Sequence, residues 1–170
     1  MMEKEGLKIC ALAGGVGGAR MADGFYRSDH PIELTVIVNI GDDFDHFGLR
    51  ICPDIDTVCY TLADLANPAT GWGLRDETWM VYQHLEGLDA PTWFQLGDRD
   101  LATHLERTRL LNRGLTLSQI TRRFCKIWGV DCRVLPVSDD PIPTIVHSQQ
   151  GSLSFQEYFV RENCDPQVTG

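Results

Sequence analysis

Two apolar runs, KICALA (8–13) and ELTVIVN (33–39), each stop at a loop of unusual composition and then give way to helical spacing. The first meets GGVGG (14–18) and continues as ARMADGFY; the second meets NIGDDFDHFGLRICPDIDTV (39–58) and continues into DTVCYTLADLA. Short, β-branched and nearly continuous apolar runs suit parallel strands covered on both faces. Strand, loop and helix, met twice, predict an α/β fold with a mostly parallel sheet. Ligands of such sheets bind beyond the carboxyl ends of the strands, so both loops are expected on one rim and are read as one site.

Further along, DTVCYTLADLA places Val58, Leu62 and Leu65 at helical spacing with Asp56 as the expected N-cap. PATGWG is a turn, DETWMVYQHLEG a helix and PTWFQLG a short strand or extended stretch. DRDLATHLERTRLLNRG is a helix opening near Asp98 or Asp100 and closed by Gly114. In TLSQITRRFCKIWG, Thr116 and Gln119 form a capping box ahead of Leu117, Ile120, Phe124 and Ile127, and Gly129 stops the helix. CRVLPV and TIVHS are further strands, with SQQG turning the latter into SLSF. With 170 residues, 43% of them hydrophobic, the chain is expected to bury one core as a single α/β domain over 1–170.

A formal net charge of -9 argues against nucleic acid, whose affinity rests on lysine and arginine neutralising phosphates. An anionic ligand would need a metal or backbone donors. The six cysteines, Cys10, Cys52, Cys59, Cys125, Cys132 and Cys164, show no C-x-x-C spacing and are expected as reduced, mostly buried thiols. MMEKEGLKICALAGG fits neither a signal peptide nor a membrane span, so a cytoplasmic protein without membrane contact is expected.

Glycine in GGVGG permits close backbone approach, and the N-terminus of the helix that follows favours an anion, with phosphate the natural occupant. The alternative is a tight turn with no ligand. Counting from Gly15 and Gly17, Arg20 stands where a dinucleotide fingerprint needs a small residue, and no P-loop lysine follows. Arg20 itself suits phosphate oxygens. In the second loop Asp42, Asp43, Asp45, Asp54 and Asp56 face a single arginine. A solvated acidic loop is the plainer reading. Carboxylates beside a phosphate loop repel a phosphorylated substrate unless a divalent cation sits between them, and Mg²⁺ binds through a few carboxylates plus phosphate. That chemistry is attack on a diphosphate ester by an acceptor hydroxyl.

GGVGGAR, NIGDD, GLRICPDIDTVCYTLA, GWGLRDETW, LGDRDLATHLERTRLL, LPVSDDPIPT and FQEYFVR, in order over nearly the whole chain, resemble the 2-phospho-L-lactate transferase family of coenzyme F-420 biosynthesis. The resemblance implies a Rossmann-like three-layer sandwich, incomplete in this chain. It implies Mg²⁺-dependent transfer of a phospholactyl or phosphoenolpyruvyl group from a guanosine diphosphate ester to 7,8-didemethyl-8-hydroxy-5-deazariboflavin, releasing GMP. Gly14, Gly15, Gly17, Gly18 and Arg20 would then serve the nucleotide phosphates. Asp42 and Asp56 would hold the metal, backed by Asp43 and Asp54, and Asp56 would also meet the acceptor hydroxyl as the catalytic carboxylate. Gln95 stands where some members carry a deazaflavin-binding lysine. Asp98 is expected to cap its helix, Arg99 to reach phosphate or a carboxylate, His104 to pack, and SDDP (138–141) to turn. Trp72, Trp79 and Trp93 are expected in the core rather than walling a flat ligand. The family's second half would follow Gly170, so self-association or completion by that half is expected. The competing function is a non-catalytic nucleotide-sugar-binding regulator of the same superfamily; a nicotinamide-dependent oxidoreductase is disfavoured by Arg20.

Overall fold

The alternation of side chains along the strands decides where the core lies. The computed structural model describes residues 6–170. In order they form β1 (Leu7–Ala13), α1 (Gly15–Tyr26), β2 (Ile32–Val38), β3 (Phe44–His46), β4 (Leu49–Ile51), α2 (Pro53–Leu62), α3 (Met80–Gly87), α4 (Asp98–Leu111), α5 (Leu117–Ile127), β5 (Arg133–Pro136), β6 (Ile145–Ser148), β7 (Gly151–Ser154) and a π-helical turn at Glu157–Arg161. Strands β1, β2 and β5 form a parallel sheet in that order, with Ala11 opposite Val36 and Val36 opposite Val134. Ala11, Ala13, Leu34, Val36, Val38 and Val134 point to one face, where they bury against Ala19 and Ala22 of α1, Ile55 and Val58 of α2, and Leu117 of α5.

The α/β class and the parallel sheet are as expected. Of the three layers expected, the described residues supply the sheet and one helical layer: Cys10 and Leu12 alternate onto the other face of β1 and are exposed, Leu12 at 73%. The reason is topological. Both crossovers, β1 to β2 and β2 to β5, step the same way across the sheet, and right-handed crossovers then lay their helices on the same face.

Two irregular segments take definite form. The acidic loop contains a β3–β4 hairpin, closed by Phe47 and Gly48 in the left-handed region (φ 51° and 71°). Asp45 faces Arg50 across it, so the segment's lone arginine is spent on that exposed pair, Nε to Oδ1 2.8 Å. PTWFQLG forms no strand; Trp93, Phe94 and Leu96 pack on Phe44 and Ile51 in a small second core instead of joining a ladder.

Helices α3 and α4 cap each other. The Asp98 carboxylate, expected to cap its own helix, accepts from the backbone N–H of Met80 and Val81 at 3.0 Å each and from Thr78 Oγ1, and these bonds hold it below the usual carboxylate range. Glu77 returns the cap, accepting from the N–H of Arg99 at 3.0 Å and Asp100 at 2.9 Å. SDDP is a turn as expected, with Asp140 N–H donating to Ser138 Oγ, and its Asp139 accepts from Ser118 N–H at the start of α5. No helix among the described residues is long and apolar enough to cross a membrane.

The capping box of α5 forms as read, with Gln119 N–H on Thr116 Oγ1 and Thr116 N–H on Gln119 Oε1. Thr116→Ala removes one of the two reciprocal bonds, and urea unfolding should register a loss of about 1 kcal/mol.

Candidate functional site

A cavity of about 620 Å³ opens beyond the carboxyl ends of β1 and β2, and Gly15, Asp42, Asp54, Asp56 and Gln95 all line it. The two unusual loops therefore meet, and Asp54 joins them. Its carboxylate accepts from Gly15 N–H at 2.6 Å and from Asn39 Nδ2 at 2.9 Å, tying the start of α1 to the end of β2. The glycines divide their roles. Gly15 has φ +57°, and a side chain on Gly14 would meet Asp54 Oδ2 at 2.9 Å. A side chain on Gly18 would meet the Ala13 backbone at 2.9 Å, so this glycine seats α1 on β1, and its N–H is taken by Gly14 O. Val16 and Gly17, in the first turn, keep N–H groups that helix geometry leaves without a backbone acceptor. Arg20 is exposed beside Gly71 and does not line the cavity.

Asp56 is not the N-cap of α2. Cys52 takes that place with Pro53 in the first turn, which puts Asp54 and Asp56 inside the helix. Residues two apart on a helix diverge by roughly 200°, whereas in the extended chain they would point the same way. Asp54 accordingly turns to the glycine loop and Asp56 turns inward, where it is 5% exposed. There Asp56 Oδ1 is ion-paired to the Arg107 guanidinium of α4, itself 1% exposed. Arg107 also donates to His104 Nδ1 at 3.1 Å, and His104 Nε2 lies 3.2 Å from Asp100 Oδ2. Tyr60 OH closes the network on Asp100 Oδ1 at 2.6 Å. Burial pushes the Asp56 carboxyl up while the Arg107 guanidinium pulls it down; Asp100, although buried, is held below its ordinary range by hydrogen bonds from His104 and Tyr60.

His104 packs as expected, yet it packs into the site. Arg107 escaped the sequence reading; its only signal is that it stands one turn after His104 on a helix already holding Asp100. Gln156 escaped too, and it donates to Asp42 Oδ2 at 3.2 Å from beyond β7. Arg99 reaches the Arg75 carbonyl rather than a carboxylate side chain, Nη1 to O 2.7 Å. Trp93 packs in the second core as expected and also walls the cavity, together with Phe155 and Phe159, stacked at 5.6 Å; Trp72 walls the cavity and Trp79 stands against Tyr82, both exposed where core positions were expected.

Two carboxylate sets offer themselves to a cation. Ligand atoms of Asp56, Asp100 and His104 lie within 4.8 Å of one another. Arginine can only donate, so His104 Nδ1 accepts, the ring proton sits on Nε2, and neither nitrogen has a lone pair to give. That set is a charge network. Asp42 Oδ1 and Asp56 Oδ2 are different: both are buried oxygens without a hydrogen-bond partner among the described residues, and both residues face the cavity. Hard oxygen donors with open lone pairs fit Mg²⁺.

Removing Arg107 strands Asp56. Arg107→Ala should cost about 3–5 kcal/mol in urea unfolding, and the double variant Asp56→Leu with Arg107→Met much less. Burial also raises Asp42 and Asp43 from 3.8 to about 7. A raised carboxyl binds its proton more tightly in the folded chain, so without divalent cation stability should fall as pH rises from about 4 through 7. Asp43→Asn should flatten that fall, read as thermal midpoint against pH.

Comparison with known proteins matches this geometry to a family. The model of 2-phospho-L-lactate transferase CofD matches residues 9–169. Relatives named phosphoenolpyruvate transferase are 47% identical in Kitasatospora aureofaciens, over 91% of this chain and 50% of theirs, and 44% identical in Mycobacterium tuberculosis, over 91% and 53%. The chain thus spans about half the length of the curated relatives it matches. In fold it is similar to a UPF0052 family member from Bacillus halodurans, with TM-score 0.56 and 16% identity over 98% of this chain and 50% of that one. On the strength of the family match, this chain belongs to the 2-phospho-L-lactate transferase CofD family.

Proposed function

We propose that the cavity serves transfer of a phosphoenolpyruvyl or 2-phospholactyl group from a guanosine diphosphate ester to the ribityl hydroxyl of 7,8-didemethyl-8-hydroxy-5-deazariboflavin, with release of GMP. The observation that carries this reading is a single cavity lined together by the N-terminus of α1, by Asp42 and Asp56, each with a buried carboxylate oxygen lacking a hydrogen-bond partner among the described residues, and by aromatic rings that include Trp72, Trp93 and Phe159. The name of the relatives favours the phosphoenolpyruvyl donor.

Each part has a chemical task. The Val16 and Gly17 amides and the α1 dipole receive phosphate oxygens, while the Gly15 amide is already engaged by Asp54. Asp42 and Asp56 would hold Mg²⁺, which when bound neutralises the diphosphate against an acidic rim. Asp56 keeps one oxygen on Arg107; the other, buried and without a hydrogen-bond partner among the described residues, would serve the metal and the acceptor hydroxyl. Trp72, Trp93 and Phe159 give a flat ring system apolar faces, and Gln95 supplies an uncharged hydrogen-bonding group.

Titrating the chain with the deazaflavin, with and without Mg²⁺ and GDP, tests the proposal through the ligand's fluorescence. Saturable binding is expected, tightened by Mg²⁺ with GDP. Asp42→Asn, which keeps the shape of the side chain, should weaken the Mg²⁺-dependent part at least about tenfold. Tight uridine-sugar binding without a deazaflavin response would favour the regulatory reading instead.

A further inference from the structure

Outside the cavity, a thiol of α2 meets a thiol of α5. Cys59 and Cys125 are 1% and 4% exposed, and their Sγ atoms lie 3.6 Å apart in a thiol-to-sulfur hydrogen bond. Cys125 also lines a groove of about 610 Å³ along α5 and β5, in company with half-buried Cys132 and with Arg122, Lys126 and Arg133. Cys59 does not line it. We propose that Cys59 and Cys125 form an oxidation site, at which a peroxide entering the groove converts the pair to a disulfide that fastens α2 to α5.

The two sulfurs have unequal parts. The bond from Cys59 pulls the Cys125 thiol below its ordinary range, and the same bond pushes Cys59 well above it. Arg122, Lys126 and Arg133 share the groove with Asp131, and of the two sulfurs only that of Cys125 belongs to its lining. Cys125 thiolate attacks a peroxide oxygen: an S–O bond forms, the O–O bond breaks, and hydroxide leaves to take up the thiol's proton as water. Cys59 then attacks the Cys125 sulfur, the S–S bond forms, the S–O bond breaks, and a second water leaves with the Cys59 proton. Two thiols and one hydrogen peroxide thus give one disulfide and two waters, the peroxide accepting both electrons. A disulfide spans about 2.05 Å, so the sulfurs close by side-chain rotation and a small helix shift. Because Cys59 sits one turn after Asp56, the link pins the helix that carries Asp54 and Asp56.

The test uses the chain with Cys10→Ser and Cys164→Ser, which removes the exposed thiols. It is treated with hydrogen peroxide, alkylated, digested without reductant and mapped by mass spectrometry. The expected result is a peptide linked through Cys59 and Cys125, loss of two free thiols per chain that dithiothreitol restores, and a higher thermal midpoint for the oxidised form. Cys125→Ser should abolish the link and leave Cys59 free, and Cys132→Ser should leave the link in place. A Cys125–Cys132 link overturns the proposal, as does Cys125 carried to sulfinic acid with Cys59 still alkylatable. The map is read on the intact pair, so it holds whether or not Cys125→Ser and Cys132→Ser fold.

Discussion

The buried pair between Asp56 and Arg107 is the interaction on which the rest of the site is built. A carboxylate facing the interior of α2 is intolerable alone, since taking a charge out of water costs several kcal/mol before any partner is counted. Arg107 makes it tolerable from α4, and in doing so fixes much else. Its second contact sets the tautomer of His104, which faces Asp100, which receives Tyr60 back from α2. The two helices are therefore stitched by charge and hydrogen bonds. The consequence for chemistry is that one Asp56 oxygen is committed to Arg107 and the other is left, buried, without a hydrogen-bond partner among the described residues.

A second constraint is electrostatic. The chain is acidic, and its phosphate-sized loop already holds a carboxylate: Asp54 sits on the Gly15 amide as an internal anion. It rigidifies the turn and leaves the next two amides pointing outward. An external diphosphate would approach a rim where Asp42, Asp54 and Asp56 gather, so the same residues that organise the loop also create the need for a counter-cation. On the proposed function, backbone donors and a bound cation would share that task.

What the sequence revealed and what it hid follow the range of the interactions. Thr116 and Gln119 were legible because a capping box is closed within four residues. The β1 and β2 strands were legible from apolar runs, and the meeting of their loops followed from parallel topology. Asp56 was read beside the glycine loop but in the wrong local geometry, because PDID carries no mark distinguishing an extended approach from a helix whose first turn opens at Pro53. Arg107 was invisible: its partner lies 51 residues earlier, and nothing local announces a buried guanidinium. Trp72 and Trp93 could not be told from Trp79 by composition, since a ring on a cavity wall and a ring against Tyr82 are spelled alike. The bare face of the sheet required the direction of two crossovers, which only strand order gives.

The exchange of end-caps between α3 and α4 has a further bearing. Helix α3 buries no residue of its own, so its anchorage rests heavily on Asp98 and Glu77, and four amides lose acceptors together if the exchange fails. The same stretch that leads into it carries Trp72 on the cavity wall, while the Glu77 end secures the turn holding Asp100. Losing the exchange would therefore free α3 and the opening turn of α4 together, and with that turn the carboxylate shared by Tyr60 and His104.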